Sequence, residues 1–403
     1  MKSLHMTIGV LALVAFAFAA NAQTFQVVHY FTEGADGAYP GGALIIDRAG
    51  HVYGTAGSGG MGNNGTVFEL KHLGSGWTFG PIYEFRGGND GSSPSGVVFG
   101  PEGLLYGATF FGGGANDAGI AYALQPPATV CKTTTCLWSE TILHSFGSGT
   151  DGAAPASALI SDQGGNFYGT TESGGTAGGY GTVYELSKSG NMWTENTLYS
   201  LAGPPNDGWE PVGGLIFDTA GNLYGTTVQG GANGDGIAFE LMPSNGSWGE
   251  SVLYNFSNNS VGHYPSSAFV MDQAGNFYST TWINGSVFEL TRSNGEWNAS
   301  PIYTAPHFGS IAPLTMDQAG NLYGVSGVGS NGGNDSGDGF VFKLTNSNGV
   351  WMLTDLHDFN GSDGKNPGGA VTLDSAGNLW GTAEFGGQGC GNNGCGVVWE
   401  ITP

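Results

Sequence analysis

Basic residues are scarce in this sequence. Its 403 residues include 9 Lys plus Arg against 32 Asp plus Glu, a formal net charge of −23, and a surface of that sign repels nucleic-acid phosphates and anionic lipid. Nucleic acid is set aside as a partner. The three arginines, Arg48, Arg86 and Arg292, fall in different loop types on opposite faces, so no arginine cluster is expected to clamp a substrate carboxylate. Long apolar runs are missing too. The stretch from Met6 to Ala19 is too short to favour a membrane span, and no second one follows. Beyond it, no segment shows helical periodicity over three or more turns. A G-x-S-x-G nucleophile elbow, an H-E-x-x-H zinc motif and a dinucleotide fingerprint are all absent.

Lys2, the apolar stretch and the small-x-small triplet Ala20-Asn21-Ala22 before Gln23 match a secretory signal over residues 1–22. The mature chain is then expected to be secreted or periplasmic, and a single domain over residues 23–403. Cysteine is also sparse: four residues form two C-x4-C pairs, Cys131 with Cys136 and Cys390 with Cys395. In an oxidising compartment this spacing reads as two local disulfides, with a four-cysteine zinc site as the alternative.

Glycine is abundant, at 76 residues, yet 23 Phe, 16 Tyr and 10 Trp supply enough apolar area for a core. An aromatic-small pair recurs seven times, at Tyr53-Gly54, Tyr106-Gly107, Tyr168-Gly169, Tyr224-Gly225, Tyr278-Ser279, Tyr323-Gly324 and Trp380-Gly381. The spacing accommodates four short strands with turns, one propeller blade. The clearest copy, Gly213 to Phe256, reads as strands at Leu215-Phe217, Leu223-Thr227, Ile237-Leu241 and Trp248-Phe256, with a turn over Pro243-Gly246.

A Trp opens six outer strands, at Trp77, Trp138, Trp193, Trp248, Trp297 and Trp351, and the last repeat stops at its third strand, Val397-Ile401. The missing strand sits at the other end of the mature chain. Gln23 to Phe31 matches the outer-strand pattern, with Gln23 in the Trp slot. The expected fold is therefore all-β, a seven-bladed β-propeller of four-stranded antiparallel blades, its ring closed by the N-terminal strand pairing with the C-terminal blade.

The pattern G-G-L-I-x-D-x-A-G-N-L-Y-G-T-T, followed by G-G and then G-T-V-F-E-L, is nearly complete in Gly213-Leu241 and Ala158-Leu186. It resembles the GloVer tandem repeat of bacterial secreted proteins, over essentially Phe25 to Ile401. The resemblance implies a repeat scaffold and supplies no catalytic residues to carry over. Departures occur at Pro101-Glu102-Gly103-Leu104 in the second copy, Ser279 in the fifth and Val325-Ser326 in the sixth.

Two sets of repeated aspartates stand out. Asp47, Asp162, Asp218, Asp272, Asp317 and Asp374 precede x-x-Gly in the turn between first and second strands. A carboxylate there caps its own tight turn, with calcium the alternative; no cofactor is otherwise called for. Asp36, Asp90, Asp151, Asp207 and Asp363 open D-G-x-x-P connections between blades, on the face expected to carry the Gly-rich loops. They are the first candidates for ligand contact, although a Pro turn explains the pattern alone. His29, His144 and His357 occupy the slot that holds Tyr83, Tyr199, Tyr254 and Tyr303 in other outer strands, which points to packing and one hydrogen bond instead of a metal.

Aromatic residues in or beside the loops, Trp209, Trp282, Phe111 and Tyr180, are suited to stack on sugars or anchor a protein. The favoured reading is an extracellular binding or structural module, monomeric, with a glycan or protein ligand and no catalytic constellation. The alternative is an exported polysaccharide hydrolase or lyase using non-repeated loop carboxylates, Glu172 or Glu384.

Overall fold

A computed structural model of the protein describes residues 23–403 except 75, 129–136, 148, 284, 305–311 and 328–336. The signal segment 1–22, the pair Cys131 and Cys136, and Ala305 at the end of the fifth outer strand lie outside the described residues. No helix among the described residues is long and apolar enough to cross a membrane.

The first blade shows how the repeat folds. Ile45–Ile46, Val52–Ala56, Thr66–Leu73 and Gly76–Glu84 form one antiparallel sheet in that order. The second strand is buried along its whole length and the third over its first five residues, whereas the fourth alternates between half-buried and exposed at its start. The fourth strand is thus the outer one. Six further blades repeat the order. The protein is a seven-bladed β-propeller.

The aromatic-small pair has a steric cause. The glycine of each pair lies beneath an aromatic ring of the third strand: a Cβ on Gly54 would sit 2.5 Å from Phe68 Cζ, and one on Gly225 2.6 Å from Phe239 Cζ. Phe68, Phe239, Phe288 and Phe342 are fully buried there. The third and fourth strands are joined by two-residue turns in three blades, at Asn245-Gly246, Asn294-Gly295 and Asn348-Gly349, with positive φ at both positions. That conformation matches the right-handed twist of the strands. The turn expected over Pro243-Gly246 therefore shrinks to its last two residues, and the third strand runs on to Ser244.

Each pairing of third and fourth strands carries a register shift, for example between Val67 and Phe68 and between Val183 and Tyr184. The extra outer-strand residue, Ile82 in the first blade and Leu198 in the third, directly precedes Tyr83 and Tyr199. A bulge re-aims the next side chain, here toward the connection to the following blade.

The last blade pairs Thr372–Leu373, Leu379–Ala383 and Val397–Thr402 with Thr24–Tyr30. The register runs from Thr24 opposite Thr402 to Tyr30 opposite Val397. The Phe31 amide donates to the Gly396 carbonyl at 3.0 Å, as Phe85 does to Gly65 and Phe146 to Gly119. The N-terminal strand closes the ring as the sequence implied.

Deleting Gln23 to Phe31 removes six ladder pairs and fully buried Phe31 and opens a strand edge. At about 1 kcal/mol per hydrogen bond plus a few for the phenyl ring, the expected result is a melting temperature roughly 10 °C lower or more. An unchanged calorimetric melt would mean that closure contributes nothing to stability.

Candidate ligand-binding face

The turn aspartates lock their own turns. Asp218 Oδ1 accepts the amides of Ala220 and Asn222 at 2.8 and 2.9 Å, and Oδ2 accepts Asn222 Nδ2 at 2.9 Å. The set recurs at Asp272, Asp317 and Asp374. Burial pushes the carboxyls of Asp162, Asp218 and Asp317 up, but these hydrogen bonds outweigh it and hold them below the usual range. The tyrosine hydroxyl of the aromatic-small pair stands between this aspartate and a third-strand glutamate. Tyr224 Oη is 2.7 Å from Glu240 and 3.1 Å from Asp218, and Tyr53, Tyr168 and Tyr278 repeat the arrangement. A phenol has one proton to give. It goes to the nearer glutamate, since the aspartate is already supplied by its turn.

The D-G-x-x-P aspartates bind the outer-strand Tyr or His that the bulge redirects. Asp36 takes His29 Nε2 at 3.2 Å, Asp151 takes His144 at 3.0 Å and Asp363 takes His357 at 3.1 Å. Asp90 accepts from Tyr83 at 2.6 Å, and Asp207 from Tyr199 at 2.9 Å. Each also accepts a backbone amide, such as Thr32 on Asp36 and Ala202 on Asp207. The structure thus unites two patterns that the sequence presents separately: the Tyr/His exchange slot and the repeated aspartates are partners in one corner.

The proline of that connection forms the joint between blades. The residue before it has positive φ in six blades, at Tyr39, Ser93, Ala154, Glu210, Tyr264 and Asn366. Its amide donates to the preceding blade's loop, on Cys395, Asn64, Ala118, Tyr180, Asp235 and Asp338 in turn, at 2.8–3.1 Å. The next loop residue is always Gly, and a Cβ there would meet the proline Cδ at 2.5–2.8 Å.

Opposite the residue before proline lies the first residue beyond the repeated end of the second strand. Gly57, Glu172, Val228 and Glu384 donate their amides to Tyr39, Ala154, Glu210 and Asn366. The register places Phe110 opposite Ser93 and Trp282 opposite Tyr264. These positions sit at the loop-face end of the two innermost strands, so they circle the mouth of the central channel, and here the repeat stops repeating. Neighbouring blades supply Glu172 and Glu210: burial, then the Glu210 charge, lifts the Glu172 carboxyl above its usual range. Glu210 accepts Gln229 Nε2 at 2.9 Å and Glu384 accepts Asn366 Nδ2 at 2.7 Å.

Among the described residues the two exposed aromatic side chains are Trp282, at 53%, and Phe111, at 44%. Phe111 meets Phe110 edge-on with ring centroids 4.7 Å apart, and Trp209 meets Tyr180 at 5.7 Å. The rim formed by Phe110, Tyr264, Glu210 and Asn366 escaped the sequence reading. Its signal is that each residue breaks the repeat where its neighbours keep it.

Cys390 and Cys395 form a disulfide with a Cα separation of 5.5 Å. Glu33 joins them in the described residues' one grouping of three ligand-type side chains, but sulfurs bonded to each other offer no thiolate to a metal. The four-cysteine zinc alternative is left without two of its ligands, and Cys131 and Cys136 lie outside the described residues.

The family model of the Gloeobacter/Verrucomicrobia repeat matches residues 14–138 and 125–297. A search of curated proteins returns no match. Among solved structures, virginiamycin B lyase from Staphylococcus aureus superposes with a TM-score of 0.57 at 13% identity, over 94% of this chain and 99% of that one. The extracellular domain of BT4673 from B. thetaiotaomicron, described as a one-component system, gives 0.55 at 13% identity over 93% of this chain and 39% of that one. Likeness at such identity is likeness of fold.

Outer-strand glutamates face the corner aspartates at three blade junctions, Glu140 at Asp90, Glu195 at Asp151 and Glu250 at Asp207, and the first and last are shifted most. Burial, then Asp90, pushes the Glu140 carboxyl up to about 8, and burial, then Asp207, pushes Glu250 up to about 7. One oxygen of each is buried without a hydrogen-bond partner. A carboxyl held protonated in the fold contributes its full stability below the unfolded value near 4.5 and loses it as pH rises through the folded value. Glu140→Gln with Glu250→Gln should therefore melt higher than the parent at pH 8 and alike at pH 4. A gap that does not vary with pH would refute the assignment.

Proposed function

The chain belongs to the Gloeobacter/Verrucomicrobia repeat family, and from that premise we propose that it is an exported recognition module that binds a glycan across the mouth of its channel on the loop face. One observation carries this reading: the two exposed aromatic rings of the described chain, Trp282 and Phe111, both stand at that rim. They belong to the fifth and second blades, nearly across the axis from each other. An exposed indole costs solvation unless something stacks on it, and pyranose faces do so. The rim also presents Glu172, Glu210, Asn366 and Glu384, able to accept or donate hydrogen bonds to hydroxyl groups. A negatively charged surface suits neutral sugars better than acidic ones.

The corner aspartates Asp36, Asp90, Asp151, Asp207 and Asp363 support this face from beneath. Their oxygens are engaged by Tyr, His and backbone amides, so they position the loops that carry the rim. Trp209 and Tyr180, packed on each other, extend it between the third and fourth blades. The expected result on a glycan array is binding to a defined class of neutral glycan. Trp282→Ala with Phe111→Ala should weaken it at least about tenfold, the loss of one to two stacking contacts. Affinity left intact by the double substitution would remove the rim as the site.

A second reading, polysaccharide cleavage, draws on Glu172 alone. Its carboxyl is raised beside the Glu210 carboxylate, the pairing that a general acid needs. Turnover on a bound polysaccharide, measured by reducing-end release, should then disappear in Glu172→Gln; turnover that survives would exclude Glu172 as the acid.

A further inference from the structure

On the opposite face, where turns replace the Gly-rich loops, a groove of about 970 Å³ opens between the last blade and the first. Three features set this junction apart. The aromatic of its small pair is Trp380, 1% exposed, instead of tyrosine. The indole N–H points to Asp374 Oδ2 at 3.4 Å, and an indole has no second polar atom to bridge to a glutamate. Glu400, 5% exposed, therefore lacks the phenol that Glu240 and Glu185 have. It accepts Gln26 Nε2 at 2.5 Å from the closing strand.

The indole of Trp77 is edge-on to Trp380 at 4.9 Å, and the His72 ring edge-on to Trp77 at 5.0 Å. Trp77 is half-buried and lines the groove. Finally, Arg48 and His72, both exposed and both lining the groove, are in no ion pair among the described residues, whereas their neighbours Lys71 and His51 lie 2.8 Å from Glu69 and 3.1 Å from Asp47. In so acidic a chain, two exposed basic side chains outside any ion pair stand beside one groove, His72 acting on Glu400 only through its charge, and both are open to an acceptor on a ligand.

We propose that this seam groove is a second binding site, for a neutral oligosaccharide. Arg48, His72 and Gln26 donate to sugar oxygens, Glu400 accepts from a hydroxyl, and Trp77 supplies apolar surface for a ring face. The volume accommodates several sugar units. Asp47, Asp374 and Glu400 set three carboxylates against one guanidinium, which turns away acidic sugars. The site binds and does not cut: Asp47 and Asp374 are held by their own turns, leaving Glu400 without a second free carboxylate for acid-base chemistry. The proposal is independent of the loop-face reading and stands or falls separately from it.

Titration calorimetry of the mature chain with cellohexaose, xylohexaose and maltohexaose tests it. At least one should bind, and Arg48→Ala with His72→Ala should weaken that binding about tenfold or more, the cost of one or two charged hydrogen bonds, with the melting temperature unchanged. Trp282→Ala with Phe111→Ala should leave it intact. Failure of all three sugars to bind would overturn the proposal, as would binding lost only in the loop-face pair.

Discussion

Everything in this protein rests on the joint between one blade and the next. A four-stranded blade cannot bury both faces by itself, and among the described residues six loop-face connections each leave a backbone amide that their own blade does not satisfy. The residue before proline turns that amide to the preceding blade, at the cost of a positive φ in a side-chain-bearing residue. The proline then packs on a glycine where a Cβ would leave no room. One short segment thus fixes the distance and the rotation between neighbours, and a ring built this way needs a last strand from its own beginning. Thr24–Tyr30 provides it.

The charge balance shapes how that scaffold is satisfied. With few cations available, lysine neutralises few of the carboxylates: Lys71 pairs with Glu69 and Lys365 with Asp338. Backbone amides, phenols and imidazoles do the work, in the turn aspartates on one face and the corner aspartates on the other. Where a second carboxyl meets a corner, as Glu140 and Glu250 do, burial and then the corner aspartate raise it well above the usual carboxylate range. In blade six the glutamate itself is replaced: Lys343 takes its place and sits 5.3 Å over the Tyr323 ring.

Function must come from what breaks the repeat, because a residue present in every blade serves the ring. Two breaks matter. On the loop face, the position after the second strand changes from blade to blade and exposes Trp282 and, one residue on, Phe111. On the turn face, Trp380 replaces tyrosine at the seam and leaves Glu400 to the closing strand. The ring gives both a scaffold of paired strands, which lowers the ordering cost of any contact made there.

The seven aromatic-small pairs, the six outer-strand tryptophans and the outer-strand pattern of Gln23–Phe31 determined blade count, strand order and closure, because each reflects a local rule: a glycine under a ring, a turn capped by its aspartate, a period long enough for four strands. Local rules are written in neighbouring residues. Which carboxylates meet which phenols, and which aromatics remain exposed, was settled only by the tertiary structure. Asp36 and His29 looked like separate features until a bulge turned one toward the other, and Glu172 with Glu210, or His72 with Glu400, came together because ring closure and blade packing join residues far apart in the chain. Those contacts depend on distances across a junction, and no spacing along the sequence encodes them.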